Sequence, residues 1–261
     1  MFDFHMHSCL SFDSKATPAA MAQAAMENGI QEICFTDHYD QKSDPDLPAN
    51  LFTIEQYRQV YDGFSMPGIR IRHGVEFGLT RWNDPHLKAL AAAYPFDFVL
   101  GSVHFVDSVD PYWPQYWQGR TVHEAFRAYL EEVYQCLLHH DAFDVLGHLT
   151  YVCKSAYNPT RGSVPMEDHR EVVEEILKLL VAKGKGMEVN TSGVDRAETF
   201  LPSAEYLRRF KELGGQIVTV GSDAHDPSRV GQYAPQAIQM LKEIFGHVCT
   251  FEQRRPVFHK L

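Results

Sequence analysis

The stretch that decides the fold is Phe2-Asp3-Phe4-His5-Met6-His7, a short apolar run that ends in two histidines. Residues i and i+2 of a strand point to the same face, so the imidazoles of His5 and His7 can bind one ion. We therefore predict a strand over Phe2–His5 and expect its end to carry metal ligands.

Similar short segments of strand character recur along the chain. The predicted strands are Phe2–His5, Glu32–Thr36, Ile69–Glu76, Phe96–Ser102, Phe143–Gly147, Gly186–Asn190 and Gln216–Gly221. The predicted helices are Thr17–Asn28, Ile54–Gly63, Pro85–Ala93, His123–His140, Met166–Lys183, Ser203–Leu213 and Pro235–Phe245. This alternation predicts an α/β fold with a parallel sheet and external helices. A closed barrel is the first choice at this length, and an open doubly wound sheet is the alternative. No linker divides the chain, so we expect residues 1–261 to form one domain.

In such a barrel, functional side chains lie where the strands end. The seven predicted strand ends carry histidines or carboxylates: His5 and His7, Asp37 and His38, Glu76, His104, His148, Glu188, and Asp223 with His225. Imidazole and carboxylate are the usual ligands of zinc, iron and manganese in hydrolases. A dry core would not collect unpaired polar groups, because burying them is costly. We therefore predict a metal site on this rim, and expect the histidines elsewhere to be structural or solvated.

The composition fits a globular protein of 261 residues, with 44% hydrophobic and 22% charged residues. The net charge of −10 disfavours a nucleic-acid-binding surface, which needs clustered Lys and Arg. No apolar run approaches the roughly 20 residues of a membrane span, and Met1–His5 is unlike a signal peptide. The five cysteines form no CxxC motif, which indicates a reducing compartment. We expect a cytoplasmic protein with no membrane or nucleic-acid partner.

The ordered set HxH, TDH, a strand-end Glu, SVH, GH and SDAH resembles the polymerase-and-histidinol-phosphatase (PHP) family of metal-dependent phosphoesterases. The resemblance covers nearly the whole chain, from His5-Met6-His7 to Ser222-Asp223-Ala224-His225. It implies a single-domain, distorted TIM-like (β/α)7 barrel that holds two or three divalent ions, with zinc, iron and manganese as candidates.

The resemblance also implies three ligand sets. The first is His5, His7, Glu76 and Asp223; the second is Glu76, His104 and His148; the third is Asp13, His38 and His225. Some branches of the family have histidine in place of Asp13, and Asp13 points to the histidinol-phosphatase branch.

The resemblance further suggests which groups handle the substrate. Arg161 and Arg196 are similar to the family's phosphate-contacting arginines and follow the fifth and sixth predicted strands. The groups expected to contact the imidazole or amine of the substrate are Tyr39, Asp40 and Glu188. Asp223 or His225 is expected to handle the proton, which places both with Glu76 among the catalytic candidates.

The function expected from these residues is hydrolysis of a small phosphate monoester, most simply L-histidinol phosphate, to L-histidinol and phosphate in histidine biosynthesis. A nucleotide or another small phosphate ester is the alternative substrate within the family. An amidohydrolase-type metal barrel and a non-catalytic protein that binds a metal or a phospholigand are further alternatives. Glu76 on the third predicted strand and the Asp-x-His pair on the seventh favour the phosphoesterase.

Overall fold

A computed structural model describes residues 1–163 and 165–261. Its strands are β1 (Phe2–Met6), β2 (Glu32–Phe35), β3 (His38–Asp40), β4 (Arg70–Gly78), β5 (Phe98–Ser102), β6 (Val145–Leu146), β7 (Gly186–Asn190), β8 (Val218–Gly221), β9 (His247–Glu252) and β10 (Arg255–Lys260). The seven predicted strands correspond to β1, β2 and β4 to β8, which lie side by side in chain order and run parallel.

The sheet curls into a nearly closed barrel because the end of β8 returns to β1. Met6 forms an isolated parallel bridge with Ala224. The backbone N–H of His7 donates to the carbonyl of Ala224 at 2.9 Å, and that of Asp223 donates to the carbonyl of His5 at 2.8 Å. The first and last motifs of the sequence therefore meet, and the predicted (β/α)7 barrel is confirmed.

The helices pack outside the barrel; seven lie close to predicted positions, and two short ones, Pro114–Trp117 and Val194–Ala197, were not predicted. They are α1 (Pro18–Glu27), α2 (Ile54–Tyr61), α3 (Asp84–Ala93), α4 (Pro114–Trp117), α5 (Val122–His139), α6 (Arg170–Ala182), α7 (Val194–Ala197), α8 (Ala204–Glu212) and α9 (Ala234–Ile244). Thr17 caps α1 by accepting from the N–H of Ala20, and a capping box of Thr121 and Glu124 starts α5. Local capping chemistry thus sets the helix starts.

The barrel has an apolar floor and a polar rim. Its floor is a buried cluster made of Phe4, Cys34, Phe98, Leu100, Val145 and Phe251. Phe251 comes from an antiparallel hairpin of β9 and β10, which follows the last predicted helix and was not among the predicted strands. Among the described residues, no helix combines the length and the hydropathy needed to span a bilayer.

Candidate metal centre

The first predicted ligand set comes together on the rim of the barrel. The Nε2 atoms of His5 and His7 lie 3.3 and 3.7 Å from Oε2 of Glu76. The same two nitrogens lie 3.6 and 3.3 Å from Oδ1 of Asp223. Asp223 has a left-handed backbone, with φ of 55°, which is uncommon outside glycine and is often found at functional sites. The strand ends therefore bring two nitrogens and two oxygens around one point.

The second set uses the other oxygen of Glu76. Oε1 of Glu76 lies 3.0 Å from Nε2 of His148 and 3.3 Å from Nε2 of His104. These two nitrogens are 3.4 Å apart. Since its two oxygens face different histidine pairs, the carboxylate of Glu76 is placed to bridge two ions.

The third set lies nearer to solvent. Oδ2 of Asp13 lies 3.1 Å from Nε2 of His225 and 3.6 Å from Nε2 of His38. The ring of His7 stacks on those of His38 and His225, with centroid distances of 4.2 and 3.9 Å. The three sets are thus contiguous, and the structure brings Asp13 next to His38 and His225.

Buried atoms without partners show what the cluster is suited to bind. Nε2 of His5 and Nε2 of His7 are buried and have no hydrogen-bond partner among the described residues. Nδ1 of His38 and Oε2 of Glu76 are also buried and lack an aligned hydrogen bond, although they lie 2.9 Å apart as an ion pair. Buried polar groups normally have a partner, because leaving them unsatisfied costs free energy. Several sets of three ligand atoms on the rim lie within 4.8 Å of one another, as a shared cation requires: those of His5, His7 and Asp223, of His5, Glu76 and His148, of His7, His38 and His225, and of His38, Asp40 and His104. Such a nitrogen and oxygen donor set fits zinc, iron or manganese.

Neighbouring side chains hold the histidines in orientation. Glu188 accepts from Nδ1 of His5 at 2.7 Å, which turns Nε2 towards the centre. Nδ1 of His104 lies 3.0 Å from a carboxylate oxygen of Asp40, and Nδ1 of His7 lies 3.1 Å from Oγ of Ser11. Partners on the second ring nitrogen are a regular feature of metal-binding histidines.

Asp37 fixes the loop that follows β1, although it belongs to no ligand set. Its carboxylate accepts from the backbone N–H of Ser8 at 2.6 Å and of Ser11 at 3.2 Å, and from the hydroxyl of Tyr61. The loop carries Asp13, so Asp37 supports the third set indirectly.

Burial and neighbouring charges shift the pKa in opposite directions at Glu76 and His104, and in the same direction at His7. Burial would raise the pKa of Glu76, but His5, His104 and His38 outweigh it and hold the pKa well below its usual value. Burial would lower the pKa of His104, but Asp40 and Glu76 raise it to about 10. The pKa of His7 falls well below its usual value through burial and the nearby His225 and His38. A divalent ion entering this cluster must therefore displace protons from some imidazoles.

A cavity of about 360 Å³ opens over the centre. The metal-binding candidates Asp13, His38, His104, His148, Asp223 and His225 form its floor. Aromatic side chains form its opposite wall, and two at its mouth, Phe12 and Trp113, are 62% and 54% exposed. A small ligand with one anionic group and one ring is of suitable size for this space.

The two predicted arginines occupy different places. Arg196 lines a recess beside the centre together with Lys154, Asp223 and His225, and its guanidinium lies 5.4 Å from the ring centroid of Tyr112. Arg161 lines a further recess, which it shares with Arg196, and does not line the cavity over the centre. Arg196 is therefore the nearer of the two to the candidate ligands.

Tyr39 and Glu188 do not line the cavity, which differs from the expectation that they contact the substrate. The hydroxyl of buried Tyr39 lies 2.7 Å from Nε2 of His86. The second oxygen of Glu188 accepts from the backbone N–H of His148 at 2.8 Å, so both of its oxygens serve the histidines. Glu188 therefore points from β7 towards His5 and not into the cavity.

Lys154 is a residue of the site that the sequence analysis missed. Its Nζ lies 2.7 Å from Oδ2 of Asp223, and its side chain lines the cavity. Lys154 ends a 3₁₀ turn, Tyr151–Lys154, that follows β6 and His148. Its position shortly after the strand-end His148 could have indicated a role in the site. A lone lysine in a loop is usually solvated, however, so the sequence alone gave no reason to choose it.

Comparison with known proteins agrees with the geometry. A model of the PHP domain matches residues 3–192. The histidinol-phosphatase of Lactococcus lactis subsp. lactis is 30% identical over 254 residues, which cover 95% of this chain and 93% of that protein. A probable histidinol-phosphatase of Clostridium acetobutylicum is 28% identical over 255 residues, covering 97% and 98%.

A solved structure has a similar fold over nearly the whole chain. The crystal structure of histidinol phosphate phosphatase from Lactococcus lactis, complexed with zinc, L-histidinol and phosphate, superposes with a TM-score of 0.84. The two chains are 28% identical, and the match covers 98% of each.

Proposed function

The chain belongs to the PHP domain family, and from that premise we propose that it hydrolyses L-histidinol phosphate to L-histidinol and phosphate. The observation that carries this proposal is the match over 98% of both chains to a phosphatase crystallised with L-histidinol and phosphate. The cavity over the rim histidines is the place where such an ester would bind.

The ligand sets support two or three divalent ions. His5, His7, Glu76 and Asp223 would hold the first, Glu76, His104 and His148 the second, and Asp13, His38 and His225 the third. Zinc is the first candidate because the related crystal structure contains it, while iron and manganese use the same donors. Ions in such sites activate water and neutralise the charge that develops on phosphoryl oxygens.

The chain's own residues then bind and orient the ester. Arg196 is placed to donate to the non-reacting phosphoryl oxygens, because a guanidinium matches phosphate in a bidentate manner. The ammonium of Lys154 holds Oδ2 of Asp223, which leaves Oδ1 directed at His5 and His7. When only the first two ions are bound, His225, at the open side of the centre, is our candidate to give a proton to the leaving alkoxide.

The bond changes need no covalent phosphoenzyme. Water adds to phosphorus as the bond between phosphorus and the ester oxygen breaks, and the alkoxide of histidinol takes up one proton. Asp223, beside His5 and His7, is the candidate to accept the proton that the water loses. Positioning and charge neutralisation supply most of the catalysis in phosphoryl transfer.

A substrate screen tests the proposal. The zinc-loaded and the manganese-loaded protein are assayed for phosphate release from L-histidinol phosphate, nucleoside monophosphates and sugar phosphates. We expect the highest kcat/KM for L-histidinol phosphate. A higher kcat/KM for a nucleotide would favour the alternative substrate, and an absence of phosphate release from every ester would reject the phosphatase.

A further inference from the structure

Four carboxylates line the cavity over the centre, and three of them have cationic or imidazole partners. Asp13 faces His38 and His225, Asp40 faces His38 and His104, and Asp223 faces Lys154. The fourth is Asp110, which belongs to none of the metal-binding groups. Within the part of the chain that the structure describes, Asp110 forms no ion pair.

Asp110 is held in a fixed orientation with one oxygen left over. Its Oδ1 accepts from the backbone N–H of Tyr112 at 2.8 Å and from the hydroxyl of Tyr151 at 3.2 Å. Among the described residues, its Oδ2 has no hydrogen-bond partner. Asp110 is partly buried, but this oxygen is not among the buried atoms that lack a partner, so it is open to the cavity. A carboxylate oxygen that faces a cavity and has no partner is free to accept a hydrogen bond from a cation there.

A single side chain, that of Tyr151, lies between the candidate metal centre and Asp110. The ring of Tyr151 lies 5.0 Å from that of His148 and 5.5 Å from that of His104, and its hydroxyl reaches Asp110. Arg196 and Lys154 lie together in the neighbouring recess. The cavity and its neighbouring recess therefore contain both cationic side chains and one carboxylate that has no ionic partner among the described residues.

L-Histidinol phosphate has the matching charges. Its amine is on the carbon next to the one that carries the ester oxygen, so nitrogen and ester oxygen lie within about 4 Å at ordinary bond lengths. An ester whose phosphate lies over the rim histidines thus brings its ammonium close to the wall of the cavity. Resting on the proposed function, we propose that Asp110 binds the ammonium of the substrate and makes the enzyme selective for phosphate esters of amino alcohols.

The alternative is that Asp110 only holds Tyr112 and Tyr151 in place. Asp110→Asn separates the two, because the amide keeps an oxygen to accept from both tyrosines but loses the charge. Asp107→Asn is the matched control, since Asp107 is exposed in the same loop and its left-handed φ of 49° suits asparagine.

The test compares L-histidinol phosphate with its des-amino analogue, 3-(imidazol-4-yl)propyl phosphate. Losing one charged hydrogen bond typically costs roughly 10- to 150-fold. We expect Asp110→Asn to lose that factor in kcat/KM for the amine substrate and to keep near-normal kcat/KM for the analogue. Zinc content stays at the wild-type level, and Asp107→Asn behaves as wild type with both substrates.

Calorimetry with L-histidinol alone gives a second measurement that needs no turnover. Asp110→Asn should weaken its binding by the same factor, and Asp107→Asn should not. Equal losses for the two substrates, or unchanged binding of L-histidinol, would overturn the inference. If the wild-type protein hydrolyses L-histidinol phosphate selectively and Asp110→Asn keeps that selectivity, only this inference fails. If the wild-type protein releases no phosphate, the proposed function fails, and the binding of L-histidinol still tests Asp110.

Discussion

Glu76 is central to the candidate site because each of its oxygens faces a different pair of histidines. Oε2 faces His5 and His7, and Oε1 faces His104 and His148. We expect Glu76→Gln to lose zinc and most phosphatase activity, because an amide carries no charge to balance two cations. Zinc per protein by atomic absorption and kcat/KM measure the two effects.

The matched control for Glu76 is Glu55→Gln, which changes an exposed carboxylate on α2 in the same way. Circular dichroism checks that both variants fold. Full zinc content and near-normal turnover in Glu76→Gln would remove Glu76 from the centre.

Protons and metal ions compete for the same imidazoles. The carboxylates Asp40 and Glu76 raise the pKa of His104 to about 10 against the effect of burial, and the pKa of His38 is raised in the same sense. Since these groups bind protons below their raised pKa, apparent zinc affinity should increase from about pH 6 to about pH 9, with protons released on binding. Chelator competition and calorimetry in buffers of different ionisation enthalpy measure this. A flat affinity without proton release would contradict it.

Lys154 should act on phosphate more than on the metal. Removing its ammonium takes away a cation near the phosphate but leaves every predicted ligand. We therefore expect Lys154→Met to retain zinc and to raise KM and the inhibition constant of inorganic phosphate about 10-fold, in line with one charged hydrogen bond. Lys154→Arg should recover part of the loss, and Lys178→Met, at an exposed position on α6, serves as the control. Loss of zinc in Lys154→Met would instead assign the lysine to the metal site.

At the scale of the element, the barrel strands could be predicted from the sequence, but the points at which a strand is interrupted could not. The predicted strand Glu32–Thr36 is interrupted after Phe35, because Asp37 turns away to bond Ser8 and Ser11. The chain then returns as β3, which pairs with the second half of β4. These contacts are distant in sequence, so no local pattern could reveal them.

The roles of Glu188 and Asp110 were missed for a similar reason. The sequence shows that a carboxylate lies at a strand end, but it does not show whether the side chain points at the substrate or at a neighbouring histidine. Glu188 faces His5, whereas Asp110 lies in a loop with no strand signal. The candidate ligands could be predicted from the order of the motifs, but the direction of each side chain depends on the packed barrel.

Arg196 and Arg161 lie at different distances from the candidate metal centre, so we expect their removal to reduce kcat/KM by different amounts. Arg196 shares a recess with Asp223 and His225, while Arg161 lies one recess farther away. We expect Arg196→Ala to lose roughly 10- to 150-fold in kcat/KM, as for one charged contact, and Arg161→Ala to lose less. The loss should be the same for L-histidinol phosphate and an aryl phosphate, because the contact does not involve the leaving group. A larger loss in Arg161→Ala would place the phosphate nearer to that loop.

At the scale of the whole molecule, the two ends of the barrel have separate tasks. The carboxyl ends of the strands carry the charged cluster, and the hairpin of β9 and β10 closes the opposite end. Arg254 ties the hairpin to the barrel by donating to Asp144 at 2.5 Å and, through its backbone N–H, to the carbonyl of Asp97 at 2.8 Å. The floor should therefore stabilise the fold without taking part in the chemistry.

Phe251 and Phe258 test this division, because both are phenylalanines of the same hairpin. Phe251 is 2% exposed and lies 4.9 Å from the ring of Phe98, whereas Phe258 is 52% exposed. Removing a buried phenylalanine ring typically costs about 3–5 kcal/mol, since it leaves a cavity, and exposed substitutions usually cost within about 0.5 kcal/mol. We expect Phe251→Ala to lower the free energy of unfolding by the larger amount and Phe258→Ala by the smaller.

Urea denaturation at equal zinc concentration measures both variants, because a bound ion stabilises the folded state by mass action. The folded fraction of Phe251→Ala should keep its zinc and its kcat/KM for L-histidinol phosphate, since the rim ligands lie at the other end of the barrel. Equal stability losses in the two variants would show that the hairpin is not the floor of the core. Loss of zinc from folded Phe251→Ala would show that the floor and the rim are coupled, because the barrel strands that carry the ligands would then depend on how the hairpin packs beneath them.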